Sequence, residues 1–284
     1  MKIVDAFMFF HEFDILESRL QYLYDHVDYF VIIESNRSFV GNPKPLHFLE
    51  KKDRYTPYLD KIIYSPFLLS QTEFEKYQTN DLTSTKTGPW RIEKAQRDYV
   101  AESVKMFDDQ DIILISDADE IPNIDCINYS IKPYYQNDKD QFPMLLLQEY
   151  LVYNLERKYV IPGTNYGWFL PFVTQKKYLK KYKADDLRGF TGTNDFPKRC
   201  FYNGGWHLHC FMPAEDIIAK LQNFSHTEYL SNENQSSEIL NDWVKKDLHY
   251  IGGTAGHFEY VTREYYPTQF LQIFEKYFEI NKRS

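Results

Sequence analysis

Cysteine is scarce in this chain, and its pattern excludes two common kinds of stabilised domain. Only Cys126, Cys200 and Cys210 occur in 284 residues, and no two of them form a C-x-x-C pair. An odd number of widely spaced cysteines indicates neither a disulfide framework nor a structural zinc site. We therefore expect free thiols and a reducing, cytoplasmic compartment.

Long apolar runs and basic clusters are also missing. No apolar run approaches the ~20 residues of a membrane-spanning helix, and residues 1–5 already read as a strand rather than a signal peptide. The 33 basic side chains are outnumbered by 41 acidic ones, so that the formal net charge is −8. We expect neither a membrane span nor nucleic acid as a partner.

Aromatic residues, in contrast, make up 18% of the chain, with 24 Tyr and 22 Phe. Tyr and Trp offer flat amphipathic surfaces of the kind that line carbohydrate clefts, although many aromatic side chains simply fill a core. The length suits one large α/β core. We predict a single domain over residues 1–284, with a nucleotide- and metal-binding half (1–122) and an acceptor half with C-terminal helices (123–284).

One buried strand is predicted to end in a cluster of acids. The short β-branched run Ile112–Ile115 is typical of a strand covered on both faces. Asp117, Asp119 and Glu120 follow it, and Pro122 stops the ladder. Ligands bind at this carboxyl edge of open α/β sheets, and Mg²⁺ or Mn²⁺ shares carboxylate oxygens with phosphates. The segment predicts a metal-diphosphate site, whereas Asp-x-Asp alone would suit a solvated turn.

A βαβ unit at the start of the chain is predicted to bring more polar residues to the same edge. Strands over residues 2–9 and 29–33 flank an amphipathic helix. Glu12 follows the first strand, and Glu34 and Asn36 follow the second. Glu12 could equally be an acid favoured at a helix N-terminus. Lys44, in a turn-rich loop, could reach a phosphate or remain solvated.

A helix predicted to run from Trp90 to about Phe107 begins with a polar face. Trp90, Glu93 and Arg97 share this face at spacings i, i+3 and i+7, and apolar residues continue it. The pattern indicates a helix that starts in a cleft and ends in the core. A plain surface pair between Glu93 and Arg97 is the alternative.

The second half contains a glycine pair followed by Trp206 and His207. Gly204 and Gly205 allow close approach of the backbone to a ligand. Trp206 then suggests a sugar platform, and His207 a polar contact or a metal ligand. Further along, His226 and Glu228 form a weaker candidate pair.

Four stretches spread over the chain are specific as a set, although each alone is common. They are Asp5-Ala6-Phe7 with Phe10 and Glu12, Val31-Ile32-Ile33-Glu34-Ser35-Asn36 followed by Lys44-Pro45-Leu46, Ser116-Asp117-Ala118-Asp119-Glu120-Ile121-Pro122, and Gly205-Trp206-His207. Together they resemble glycosyltransferase family 17, the bisecting-type β-1,4-N-acetylglucosaminyltransferases.

The resemblance implies a GT-A-type fold, a Rossmann-like and mostly parallel sheet flanked by helices. It also implies a UDP-sugar donor, a carbohydrate acceptor, dependence on Mn²⁺ or Mg²⁺, and inversion at the anomeric carbon. The animal members have a membrane anchor that this chain lacks, which points to a soluble bacterial or viral enzyme acting on another glycan.

The resemblance also suggests roles for the candidate residues. Asp119 would hold the metal, and Asp117 would assist through metal or ribose. His207 would be a further metal ligand. Nucleotide contacts would come from the cofactor-binding candidates Glu12, Glu34, Asn36, Lys44, Trp90, Arg97, Asp117 and Trp206.

An inverting transfer needs one general base to take the acceptor proton. We choose Glu215, because it lies at a helix start just after the glycine turn. Glu120 and Glu149 are the alternatives.

Two other classes of protein fit part of the sequence. A haloacid-dehalogenase-type phosphohydrolase also places Asp-x-Asp after a hydrophobic strand, but usually on the first strand of its core. A non-catalytic sugar-binding protein would explain the aromatic residues but not the polar cluster at Glu34.

Overall fold

The computed structural model describes residues 1–78, 88–137, 141–161, 167–188, 199–226, 236–249 and 256–281. Within these residues, ten strands form one sheet. They are β1 Ile3–Phe9, β2 Tyr29–Ser35, β3 Ile62–Phe67, β4 Ile112–Asp117, β5 Glu120–Pro122, β6 Met144–Val152, β7 Arg157–Val160, β8 Phe172–Gln175, β9 Cys200–His209 and β10 His257–Tyr260.

Helices cover the sheet, and several are only one or two turns long. They are α1 Phe13–Leu23, α2 His47–Glu50, α3 Gln71–Gln78, α4 Gly88–Asp98, α5 Val100–Ser103, α6 Ile124–Cys126, α7 Lys132–Asn137, α8 Lys176–Leu179, α9 Ala184–Arg188, α10 Ala214–Asn223, α11 Ser237–Lys245 and α12 Thr268–Phe274. Short 3₁₀ turns occupy Lys52–Tyr58, Arg263–Tyr265 and Glu275–Phe278, and Ile127–Ile131 is a π-helical turn.

The N-terminal part of the sheet is parallel, in the order β3-β2-β1-β4. The carboxyl ends of these strands therefore lie at one edge, as the βαβ pattern predicts. Beyond β4 the sheet continues through β8, β6, β7 and β10 with antiparallel pairing. β9 runs parallel to β6 and pairs antiparallel with the short β5. This pairing brings β9 beside the acidic turn that follows β4.

Side chains alternate across β1 and contribute to a core on each face of the sheet. Phe7 and Phe9 pack in the cluster that contains α1 and α12, whereas Val4 and Ala6 pack in the cluster that contains α5 and α9. A third cluster joins α10 and α11 to β6 and β7. The arrangement confirms the predicted α/β class, a curled sheet flanked by helices consistent with a GT-A-type fold.

The helix predicted from Trp90 to Phe107 is shorter in the structure. It is α4 and α5, separated at Tyr99. Among the described residues, no helix combines the length and apolar character needed to cross a membrane.

Candidate functional site

A cavity of about 530 Å³ opens at the carboxyl ends of β1 and β4. β6 and β9 form its second side, and α4, α9 and α10 contribute charged and aromatic side chains. Asp117, Ala118 and Asp119 lie in its wall. The acidic turn therefore faces a space large enough for a ligand, at the position where open α/β sheets bind one.

The acidic turn is held from behind by Arg19 of α1, which is fully buried. Its Nη1 donates to the carbonyl oxygens of Asp117 and Glu120, each at 2.9 Å, and of Ala118 at 3.2 Å. Its Nε and Nη2 donate to Asp5 of β1 at 2.8 and 2.6 Å. These partners offset the cost of burying the guanidinium charge. Arg19 in turn fixes the backbone that carries the two aspartates.

Asp119 lies between a lysine and a histidine. Lys220 Nζ of α10 is 2.8 Å from its Oδ2, and His207 Nε2 of β9 is 3.6 Å from its Oδ1. Burial opposes ionisation, but Lys220 and His207 together hold the pKa of the Asp119 carboxyl well below its usual range. The same Lys220 Nζ is 3.3 Å from Glu12 Oε1. Although burial opposes it, Asp119 and Glu12 raise the pKa of Lys220.

Asp119 belongs to a group of three side chains that could bind a metal ion. One ligand atom each from Asp119, His207 and His209 lies within 4.8 Å of the others, and all three residues are buried. The histidines are two residues apart on β9, so that both project to the same face. His207 Nδ1 is buried, and no described residue forms a hydrogen bond with it. One carboxylate and two imidazoles suit a divalent transition metal better than Mg²⁺, which prefers oxygen alone.

Asp117 faces two arginines and lies outside that group. Arg188 Nη2 of α9 is 2.6 Å from its Oδ2, and Arg97 Nη2 of α4 is 3.5 Å from its Oδ1. Arg188 also donates to both oxygens of Glu120 at 2.7 and 2.8 Å. Trp168 Nε1 donates to Glu120 as well. Glu120 is fully buried beneath the cavity, and its carboxylate anchors the Asp117 backbone amide at 2.7 Å.

Five of the nucleotide or metal candidates besides the two aspartates contribute to the cavity lining. They are Glu12, Lys44, Trp90, Arg97 and His207. The Glu93–Arg97 pair has formed at 2.6 Å, inside the cavity rather than on an open surface. Trp90 meets His226 edge-on, with ring centroids 4.2 Å apart. Glu228, the other half of the weaker candidate pair, falls outside the described residues.

Glu34 and Asn36 do not line the cavity, contrary to the position expected of nucleotide contacts. Glu34 is fully buried and accepts hydrogen bonds from Lys44, Tyr64 and the first backbone amides of α2. Asn36 exchanges two hydrogen bonds with the backbone of Leu69. Both side chains are thus used by the protein itself to fix the loop after β2.

Trp206, Glu149 and Glu215 also lie outside the cavity lining. Trp206 is in the core, 4.1 Å from the Phe270 ring, because it alternates with His207 along β9 and points to the opposite face. Glu149 is paired with Lys158 at 2.7 Å. Glu215 is exposed in the first turn of α10. The position of these residues does not support a sugar platform at Trp206 or a base at Glu149 or Glu215.

Several cavity or supporting residues were not singled out in the sequence. Arg19, Arg188 and Lys220 are isolated basic residues within helices, and no local pattern separates them from solvated ones. His209 did have a signal, because the spacing His207-Leu208-His209 on a strand puts both rings on one face.

Comparison with known proteins adds independent evidence. The model of glycosyltransferase family 17 matches residues 1–246. The chain is similar to human beta-1,4-mannosyl-glycoprotein 4-beta-N-acetylglucosaminyltransferase, at 25% identity over 303 aligned positions, which cover 94% of this chain and 50% of the human protein. The rat protein of the same name is 30% identical over 125 positions, 43% of this chain and 22% of the rat protein. The chain thus spans about half or less of the length of these relatives, and by the match over most of its length it belongs to glycosyltransferase family 17.

Proposed function

We propose that the chain transfers a sugar from a UDP-sugar to a glycan hydroxyl with inversion at the anomeric carbon. N-acetylglucosamine is the sugar that we propose first. The observation that carries the proposal is the cavity at the ends of β1 and β4, in which the acidic turn meets Lys220, Arg97 and Arg188. Family membership supports the reaction class. The names of the relatives support the sugar.

The charges in the cavity suit a diphosphate leaving group. Arg97 and Arg188 offer guanidinium N–H groups next to Asp117, and Lys220 offers an ammonium next to Asp119. Fixed cations of this kind stabilise charge that develops on a leaving group without reorganising during the reaction. Asp119, His207 and His209 would hold a Mn²⁺ ion. When bound, such an ion supplies Lewis-acid stabilisation of the leaving diphosphate.

The general base must come from a carboxylate that faces the cavity. Glu93 and Asp185 both face Arg97 at 2.6 Å. Glu12 Oε2 accepts from the backbone amides of Phe10 and His11 at 3.3 and 3.1 Å, whereas its Oε1 has a longer contact with a cation, 3.3 Å from Lys220. We therefore propose Glu12, rather than Glu215, as the general base. Its Oε1 could accept the proton of the acceptor hydroxyl.

The haloacid-dehalogenase alternative places a nucleophilic aspartate at Asp117. In the structure both oxygens of Asp117 face arginines, and the family match is to a glycosyltransferase. Both observations favour transfer over phosphate hydrolysis.

Calorimetric titration with UDP and Mn²⁺ tests the site. Asp119→Ala should abolish Mn²⁺-dependent UDP binding and leave the fold intact, since the buried Lys220 keeps Glu12 as an acidic partner. Asp109→Ala is the matched control, because Asp109 is a surface acid paired with Lys180 and lies outside the cavity lining. A screen of UDP-sugars with simple sugar acceptors, followed by mass spectrometry, then identifies the donor. Unchanged UDP affinity in Asp119→Ala would show that the site is elsewhere.

A further inference from the structure

Lys220 occupies a special position among the cations of the cavity. Its ammonium touches Asp119 at 2.8 Å and Glu12 at 3.3 Å, while its side chain is only 17% exposed. Ile217 and Leu221 of the same helix are buried in a core cluster. Because Lys220 lies between these two anchors on α10, the helix is fixed and only the side chain can move.

The ammonium and a divalent ion would compete for the same carboxylate. A metal bound to Asp119, His207 and His209 would lie about 2 Å from a carboxylate oxygen. The ammonium is already bonded to the other oxygen of that carboxylate. Two cations a few ångströms apart in a buried site repel each other strongly, since little water screens them.

We propose that Lys220 neutralises Asp119 and Glu12 when no metal is bound, and that metal entry displaces its ammonium from Asp119. This inference rests on the metal part of the proposed function. The displaced ammonium remains on α10 in the cavity wall, where it can donate to a phosphate oxygen. Lys220 thus opposes binding of the free metal and favours binding of the metal together with a diphosphate.

The geometry supports this role for a lysine. A long flexible stem with a compact charge can change partners by rotation about side-chain bonds, which a planar guanidinium held by several acceptors cannot do as easily. Arg188, for comparison, holds Asp117 and Glu120 together through three short contacts. Lys220 has two acidic partners on different elements, β1–α1 and the acidic turn, and it loses one when a metal binds.

A titration with Mn²⁺ in the absence of nucleotide tests the competition between Lys220 and the metal. The electron paramagnetic resonance signal of the free ion measures how much Mn²⁺ is bound. We expect Lys220→Met to bind Mn²⁺ more tightly than the wild type by roughly 5- to 150-fold, the usual range of coupling between two ligands. With Mn²⁺ saturating, the same variant should bind UDP more weakly, because it lacks the released ammonium. The matched control is Lys176→Met, which removes the same charge from a lysine paired with Asp109 at 3.2 Å outside the cavity lining.

A second measurement uses the unmodified protein and does not depend on the folding of a variant. Acetylation of lysines by an N-hydroxysuccinimide ester, quantified by peptide mass spectrometry, reports how strongly each amine is held. Mn²⁺ should raise the labelling of Lys220 several-fold and leave that of Lys176 unchanged, since only Lys220 would lose its carboxylate partner.

Three results would overturn the inference. They are equal Mn²⁺ affinity in Lys220→Met and Lys176→Met, unchanged labelling of Lys220 at saturating Mn²⁺, and no Mn²⁺ binding by either variant. None of these measurements involves sugar transfer. If Mn²⁺ and Lys220 compete for Asp119 but no sugar transfer is detected, the proposed function alone would therefore be refuted.

Discussion

Glutamate serves three different purposes in this protein, and its surroundings decide which. Glu34 is fully buried and caps the start of α2. Glu12 faces the cavity beside Lys220, and Glu215 faces solvent. Although burial opposes it, Lys220 and His11 lower the pKa of Glu12, so that Glu12 is an ionised acceptor at neutral pH. The three side chains are chemically identical, and only their surroundings differ.

The base assignment can be tested with two glutamine variants. If Glu12 takes the acceptor proton, Glu12→Gln should lower kcat by roughly 10²- to 10⁴-fold, the usual contribution of a general base. Its affinity for the UDP-sugar should stay near that of the wild type. Glu215→Gln should turn over normally, because Glu215 lies outside the cavity lining. The measurement is steady-state kinetics together with calorimetric titration of the donor.

The two variants also separate the alternatives. Loss of donor affinity in Glu12→Gln would make this residue a nucleotide contact, as first expected from the sequence. Loss of turnover in Glu215→Gln instead would require the acceptor to approach from the exposed side of α10.

At the level of elements, β9 determines most of the site. Its alternation sends His207 and His209 toward the cavity and Trp206 and Leu208 into the core. Gly205 makes this placement possible, because the strand crosses the backbone of β5 very closely. A Cβ atom at Gly205 would lie 2.0 Å from the carbonyl oxygen of Ile121, and its φ of +135° disfavours any other residue.

Gly205→Ala should therefore destabilise the protein and disturb the site together. The strained backbone alone costs about 1–3 kcal/mol, and the clash with β5 adds to it. We expect a lower midpoint in urea unfolding and weaker Mn²⁺-dependent UDP binding, since His207 lies two residues after Gly205 on the same strand. An unchanged urea midpoint would mean that β5 and β9 are not in this register.

At the level of the whole molecule, β9 separates the core that contains α1 and α12 from the cavity. Residues beyond the family match still belong to this core, because Phe270 and Phe274 pack against Tyr22 of α1. Trp206 and Trp90 lie on the two sides of this division, one against Phe270 and the other in the cavity lining. They are a matched pair, since both are tryptophans and both were expected to contact the ligand.

The two tryptophans should give opposite results when replaced by alanine. Trp206→Ala should lower the free energy of unfolding by about 3–5 kcal/mol, as for other large aromatic residues in cores. It should leave UDP affinity nearly unchanged where the protein stays folded. Trp90→Ala should weaken UDP binding with little loss of stability. Urea unfolding and calorimetric titration measure the two effects, and equal loss of stability in both variants would contradict this division.

The local features of this protein could be predicted from its sequence. The β-branched run before Asp117 and the βαβ pattern predicted the parallel strands and the edge at which they end, because strand period and crossover handedness are properties of short segments. The acidic turn and the shared polar face of Trp90 and Arg97 were predicted for the same reason. The resemblance to the family was confirmed by the match over residues 1–246.

Which side chains meet depends on contacts between segments that are far apart in the chain. Arg19 is 98 residues from Asp117 along the chain, and Lys220 is 101 residues from Asp119. No local pattern indicates such pairs, because a lone Lys or Arg within a helix looks like a solvated residue. The face on which Trp206 lies depends on the register of β9 against β5 and β6, and shifting that register by one residue would exchange the core and cavity sides of the strand.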